Sequence, residues 1–490
     1  MKLISGPIVG AVTHKDAKIW IFWSHTSADE QSPVCHIFAD KQATEEKSRV
    51  AFTEISDSEH ISGGIRGVFA LAKVSFQPGA KNVFFKILTQ SGADVGARIF
   101  SFIPFPKAGS AVDSFSFGLV SCHRTYVAAR RNQNYVAPMW KSLAEKMRAH
   151  DCRFLLQAGD QVYADQYPIN AWKWSLKGGN QQKILWNYRQ VYLNGWAHQE
   201  AQDVLQSFPQ FMIWDDHEIS NGWGSDVSHT TDPRQKDIFK AARQAYVEFQ
   251  NSHNPDPLKS GELYYGFSYG PAAFLVMDLR GHRNYAAYLE NPGNDVFPLA
   301  GKEQWDAITE WMNSDLVQRS KILFVVTSVP VIHLSRKFRD LGRFKNDIRD
   351  QWSTDHNKNE RRKLFKLLFD WSGEPNRPVF ILGGDVHVGT VAMLKDENDK
   401  KMYQITSSPI TNLPAAFLDK FLTLYSSEFE FHLERGDAQP VRSVITHRYH
   451  RRNFGIIDVR FEDQKVKVTL NMYQQHQANP DVVQFPVHEA

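Results

Sequence analysis

An α/β layered domain preceded by a small antiparallel β-sandwich is the fold class the sequence predicts, and three observations carry it. The first hundred residues alternate short aromatic and β-branched runs with Gly, Pro and Asp turns. From Phe115 onward each apolar run ends in a polar, reactive cluster, as strands do when their carboxyl ends line a site. The 490 residues, 42% hydrophobic and 13% aromatic, exceed the span of one compact domain and can fill a large core.

In the N-terminal part, Ala17 to Trp23, Val34 to Phe38 and Val83 to Leu88 read as strands. Residues 1–108 are assigned to the antiparallel β-sandwich and 109–490 to the α/β domain, with Pro104 to Val112 as linker. Four strand endings follow. Phe117 to Ser121 delivers Cys122 and His123, and Arg153 to Gln157 delivers Gly159, Asp160 and Tyr163, with a helix from Tyr135 to His150 between them. Phe211 to Trp214 delivers Asp215, Asp216, His217 and Glu218, and Pro378 to Leu382 delivers Gly384, Asp385 and His387. Ala273 to Leu279 and Ile322 to Val326 add two buried strands to the core. No internal repeat points to a solenoid or propeller.

Charge narrows the function. With 57 basic and 54 acidic side chains the formal net charge is +3, which gives no electrostatic signature for binding nucleic acid or an anionic membrane. Cys35, Cys122 and Cys152 are too few for a disulfide framework, though one bridge remains open. No run reaches the roughly 18 to 20 apolar residues of a transmembrane helix. The opening residues lack a secretory or twin-arginine pattern, so the expectation is a cytoplasmic protein.

A Gly-Asp pair after a strand is ordinarily a turn or a helix cap. Four endings that together supply carboxylates, imidazoles, a thiol and a phenol are different, because these are the hard and borderline donors that a pair of divalent or trivalent ions requires. Two ions would neutralise the mutual repulsion of the anions and make a bound water acidic enough to act as nucleophile near neutral pH.

The set resembles the calcineurin-like metallophosphoesterases and, more narrowly, the alkaline phosphatase D (PhoD-like) family. The resemblance rests on Gly6-Pro7-Ile8-Val9-Gly10-Ala11-Val12, Gly159-Asp160-x-x-Tyr163, Trp214-Asp215-Asp216-His217-Glu218, Gly384-Asp385-Val386-His387 and Thr406-Ser407-Ser408-Pro409, with a closing strand pair around Phe454 to Met472. It implies a two-sheet metallophosphatase sandwich flanked by helices after the N-terminal domain. It further implies that Asp160 bridges two ions, that Cys122, Tyr163 and His387 join it around a ferric ion, and that Asp216 and Asp385 bind a second, Ca(II) or another divalent ion. The implied reaction is hydrolysis of phosphodiesters, and of monoesters too, by a metal-bound hydroxide at a site of two or more metal ions.

Several residues keep two readings. Cys122 is either a ligand or a small buried hydrophobe. Tyr163 is either a ligand or packing. His217 is the candidate to donate a proton to the leaving oxygen, the alternative being a structural histidine held by Glu218 or Asp215. Asp215 lies between outer-sphere and direct contact, His123 is unassigned, and Arg124 is a candidate clamp for a phosphoryl oxygen. The superfamily usually supplies a histidine near Thr327-Ser328-Val329-Pro330, where this chain has none; His333 reads as a solvent-facing loop residue, leaving a position on the second ion for water or an unidentified carboxylate. Arg130-Arg131, Arg361-Arg362-Lys363 and Arg451-Arg452 read as solvated charge. Trp172, Trp174 and Trp186 read as core, and Phe417 to His450 is a candidate cover for the site. Two competing functions stand beside the phosphoesterase: a non-catalytic binding protein with a degenerate phosphatase domain and a ligand-binding β-sandwich, and an iron redox protein using Cys122 and Tyr163.

Overall fold

Alternation of buried and exposed positions builds the N-terminal strands: β1 (Lys2–Val12), β2 (Asp16–His25), β3 (Val34–Phe38), β4 (Glu46–Ala51), β5 (Thr53–Ile61), β6 (Ile65–Ser75), β7 (Val83–Leu88) and β8 (Phe100–Phe102). In β7, Val83, Phe85 and Ile87 are buried while the residues between them are half-buried, the period-2 pattern of a strand with one face on a core. The computed structural model describes residues 2–25, 32–61, 65–95, 98–125, 136–291, 296–333, 349–352, 354, 356–373, 377–414, 428–432, 440–463, 465–486 and 488–489. These eight strands form two antiparallel sheets, β1-β2-β6-β5 and β4-β3-β7-β8.

The N-terminal sheets are anchored on the rest of the chain. Trp20 packs edge-on against Trp196 and at a tilt against Phe249 and Phe69, and its indole donates to the Glu248 carbonyl at 2.8 Å. Ser56 reaches the Glu248 carboxylate at 2.8 Å, which Arg189 grips through two further bonds of 2.6 and 2.7 Å. The linker contributes too, since Phe105 is buried against Phe154, Phe211 and Tyr269. The opening motif gains a physical reason at Gly10, where a Cβ would meet the His253 carbonyl at 2.0 Å. Backbone lies on both sides of that contact, so Gly10→Ala should lower the melting temperature, at a cost of about 1–3 kcal/mol for overpacking. A thermal melt of the variant beside the parent checks this, and an unchanged midpoint would reject the contact.

Continuous apolar runs build the remaining sheets. The strands are β9 (Ser114–Val120), β10 (Cys152–Ala158), β11 (Gln210–Ile213), β12 (Tyr265–Tyr269), β13 (Ala272–Val276), β14 (Ile322–Val326), β15 (Val379–Gly383), β16 (Gly389–Lys395), β17 (Lys401–Thr406), β18 (Glu428–His432), β19 (Pro440–Tyr449), β20 (Asn453–Glu462), β21 (Lys465–Gln474), β22 (Asp481–Gln484) and β23 (His488–Glu489). One sheet has the order β11-β10-β9-β20-β21-β22, with β23 on β21; the other is β12-β13-β14-β15-β17-β16-β19-β18. Each has a parallel portion, β11-β10-β9 at one end of the first sheet and β13-β14-β15-β17 in the middle of the second. Phe117 of β9 meets Phe274 and Phe324 of the facing sheet edge-on at 5.6 and 5.2 Å, which marks the shared core. Helix α1 (Val136–Ala149) covers the first sheet with Met139, Trp140, Leu143 and Met147. Helices Lys302–Met312 and Lys358–Ser372 cover the second with Trp305, Ile308, Leu364 and Leu368. The result is the two-sheet sandwich flanked by helices.

Some expectations need correction. Trp174 is exposed, and Trp172 and Trp186 are only half-buried, because this helical region lies at the surface. Arg361 and Arg452 are buried: Arg361 donates to the Trp352 and Thr354 carbonyls, and Arg452 to the Thr411 carbonyl at 2.9 Å. Carbonyls that no ladder satisfies need such donors. Arg130 and Arg131 lie outside the described residues, as do 417–427 and 433–439 of the candidate cover; β18 and β19 end the second sheet. All three cysteines are free and buried. Among the described residues no helix is long and apolar enough to cross a membrane.

Candidate functional site

The parallel strands bring their carboxyl ends together. At the junction a Cβ on Gly384 would lie 2.4 Å from Ser121 Cβ and 2.5 Å from the Ala158 carbonyl, so glycine lets the turn after β15 touch the ends of β9 and β10. Cys122, Asp160, Asp385 and His387 hold φ of 57°, 58°, 62° and 56°. Non-glycine residues rarely occupy this region, and each costs of order 1–3 kcal/mol, a strain that clusters where function requires a side chain to be re-aimed.

All seven expected residues converge. Cys122 Sγ lies 3.3 Å from Asp160 Oδ2 and 3.1 Å from Ser408 Oγ. The Tyr163 hydroxyl donates to Asp160 Oδ2 at 3.0 Å and lies 3.1 Å from His387 Nε2. Asn412 Nδ2, which can only donate, is 3.2 Å from the same Nε2, so that nitrogen presents its lone pair to the site. Among the described residues three groups have donor atoms all within 4.8 Å of one another: Cys122, Asp160 and His387; Asp160, Asp216 and His217; Asp215, Asp216 and Asp385.

These donors fit cations. Asp160 Oδ1, Asp216 Oδ1 and Asp215 Oδ2 are buried without hydrogen-bond partners, a costly state for carboxylate oxygens that a metal ion relieves. Burial first, then the neighbouring Asp216 and Asp215, push the Asp160 carboxyl well above its usual range, although His217 opposes them. Burial followed by Asp215, Asp350 and Asp216 raises Asp385 likewise. Burial and the Asp160 charge raise the Cys122 thiol and the Tyr163 phenol. Burial lowers His387 to about 3, leaving its imidazole neutral and able to ligate.

His217 behaves oppositely. Burial alone would lower it, but Asp165, Asp216 and Asp160 raise it well above its ordinary value. Its Nδ1 lies 2.8 Å from Asp165 Oδ1, and its ring packs on Tyr163 with centroids 4.2 Å apart. Asp165, not Glu218 or Asp215, therefore holds this histidine. Glu218 instead accepts from the backbone N–H groups of Asp215 at 2.8 Å, Gln161 at 2.6 Å and Asp160 at 3.2 Å, tying two strand-end loops together.

The other residues sort by their partners. Asp215 is engaged by Arg280 Nε and by Ser328 Oγ at 2.9 Å. His123 is buried, accepts from the Trp140 indole at Nδ1 and lies 3.2 Å from the Gly195 carbonyl; burial lowers it to about 4, so it supports the loop as a neutral ring. Arg124 is half-buried beside Tyr163 and Asp165, with a buried, unpartnered Nε. His333 is buried, contrary to the solvent-facing expectation, and burial lowers it to about 4.

A family model for PhoD-like phosphatases matches residues 117–470. The chain belongs to that family. The match covers all of the strand endings described above. This PhoD-like chain is also 23% identical over 378 residues to the uncharacterized protein YGR266W of Saccharomyces cerevisiae, covering 57% of the chain and 52% of that protein. It thus spans about half the length of this curated relative. Among solved structures, that of PhoD superposes with a TM-score of 0.68 at 17% identity, covering 99% of this chain and 92% of that one. A purple acid phosphatase, PPD1 from yellow lupin (Lupinus luteus) seeds, superposes with a TM-score of 0.61 at 10% identity, covering 98% and 73%. Both likenesses concern the metallophosphatase fold.

Sequence reasoning missed Asp165, Arg280, Asp350, Gln351 and Asn412 at the PhoD-like site. Asp165 and Asn412 follow recognised motifs by a few residues, and Arg280 follows the β13 run, so the strand-ending rule extended a little further would have flagged these three. Asp350 and Gln351 carry no such signal.

Proposed function

We propose that this protein is a metal-dependent phosphoesterase acting on phosphodiesters and, secondarily, monoesters. The observation that supports it best is the overlap of three donor groups through Asp160 and Asp216, with orphaned oxygens on both residues. Cys122, Asp160, Tyr163 and His387 would hold an Fe(III) ion, and Asp160, Asp216 and Asp385 a Ca(II) or other divalent ion. Bound there, the ions supply positive charge for phosphoryl oxygens and acidify a bound water. The chain's own groups orient and neutralise: Arg124 receives a phosphoryl oxygen, and His217, kept cationic by Asp165, gives its Nε2 proton to the leaving oxygen. Residues 1–108 are read as a separate sandwich domain that supports this arrangement, since all seven site side chains come from 109–490.

The direct test is hydrolysis of a chromogenic phosphodiester beside the matching monoester on protein of measured metal content. Diester turnover should fall on chelation and return with added ions. Metal-replete protein that turns over neither ester would reject the reading. A ferric ion at Tyr163 and Cys122 should also give a visible charge-transfer band, and a band that survives Tyr163→Phe together with Cys122→Ser would reject that ligand set.

A further inference from the structure

The group formed by Asp215, Asp216 and Asp385 is short of donors. Asp215 is engaged by Arg280 and Ser328, and Thr327 to Pro330 carry no imidazole. A hard divalent cation takes six or more oxygen ligands, so a further protein oxygen is expected beside Asp385.

Gln351 stands at that place. Its Nε2 lies 3.3 Å from Asp385 Oδ2, and its Oε1 is buried without a hydrogen-bond partner in a side chain only 6% exposed. Its position is held from behind. The preceding Asp350 pairs with Arg280, Nη2 to Oδ2 at 2.8 Å, and with Arg283, Nη1 to Oδ1 at 2.9 Å. Arg283 Nη2 also donates to the Asp350 carbonyl at 2.6 Å, while Thr354 and Asn357 donate to the Gln351 carbonyl at 2.9 and 3.0 Å. Five bonds from four side chains thus fix the short segment that sets the Gln351 carboxamide beside Asp385.

A buried acceptor left unpaired costs about 1–3 kcal/mol. A half-turn of the terminal amide exchanges nitrogen and oxygen within the same outline. The turned amide sets a neutral oxygen beside the Asp385 carboxylate, where a shared cation satisfies both. We propose that Gln351 is a ligand of the divalent ion held by Asp216 and Asp385, occupying through oxygen the place for which Thr327 to Pro330 offer no imidazole. This rests on the metallophosphoesterase reading above. An all-oxygen set of this kind favours Ca(II), Mg(II) or Mn(II) over metals that prefer imidazole.

The test titrates Ca(II), and separately Mn(II), into chelator-stripped full-length protein by calorimetry, for the parent, Gln351→Leu and Gln351→Glu. Gln351→Leu should weaken divalent binding about tenfold or more, while iron content is unchanged. Gln351→Glu, which keeps an oxygen and adds charge, should bind at least as tightly as the parent, separating ligation from misfolding. Parent-like affinity in Gln351→Leu, or a Gln351→Glu variant as weak as it, overturns the Gln351 assignment alone. A parent that takes up no divalent ion overturns the metal reading along with it.

Discussion

Replacing Asp160 with asparagine should leave the protein unable to hold its metal ions and lower phosphoester turnover by about a thousandfold, equivalent to about 4 kcal/mol of transition-state stabilisation. Asp160 belongs to two of the three donor groups, and it meets both Cys122 and Tyr163 through one oxygen while the other is orphaned. Asparagine tolerates the left-handed backbone there at least as well as aspartate, so the effect reads the carboxylate and not the turn. Stability should move the other way. In chelated protein the Asp160 carboxyl is raised well above its ordinary 3.8 by burial and by Asp216 and Asp215. A raised carboxyl gives stability that is fully present below 3.8 and is lost as pH rises toward the folded value. At neutral pH the chelated Asp160→Asn variant should therefore melt above the chelated parent, and the gap should close under acid. Metal analysis, turnover and paired melts check the three parts; full metal content in the variant would sink the bridging role.

The ends of β9, β10, β11 and β15 were legible in the sequence because each is local: an apolar run, closed by Ser, Gly, Trp and Gly respectively, and then a reactive side chain. What was not legible is contact between distant segments. His217 finds Asp165 across 52 residues, Arg280 finds Asp215 across 65, and Gln351 reaches Asp385 across 34. No periodicity encodes those pairings, since strand order decides them. Burial of charge was misjudged for the same reason. Arg361 and Arg452 look like ordinary surface arginines until helix packing and the turn after β17 bring unsatisfied carbonyls to them. His333 reads as a solvent-facing residue from its place in a loop alone, whereas the apolar Val331 and Ile332 before it are buried and carry it inward.

His217→Ala should cut turnover of an alkyl diester, whose leaving group is poor, by about 10²- to 10⁴-fold, with a far smaller loss on a nitrophenyl ester and no loss of metal. Proton donation matters only where the leaving oxygen cannot bear charge, so the dependence on leaving group separates this role from metal binding. Asp165 tunes the same group. It is the largest influence raising His217 above its ordinary 6.5 against burial, ahead of Asp216 and Asp160. In the metal-free protein the acid form thus persists through neutrality, and the stability it confers is fully present below 6.5 and lost as pH rises through the elevated value, whereas ions on Asp216 and Asp160 would leave Asp165 as the main charge holding the proton. Asp165→Asn keeps a partner near Nδ1 but removes the charge, so the elevated value falls. The alkaline limb of the alkyl-diester rate profile should then move to lower pH while nitrophenyl turnover near pH 6 changes little. If the alkaline limb stays in place in Asp165→Asn and both esters suffer equally in His217→Ala, then His217 is a structural ring and another group carries the proton.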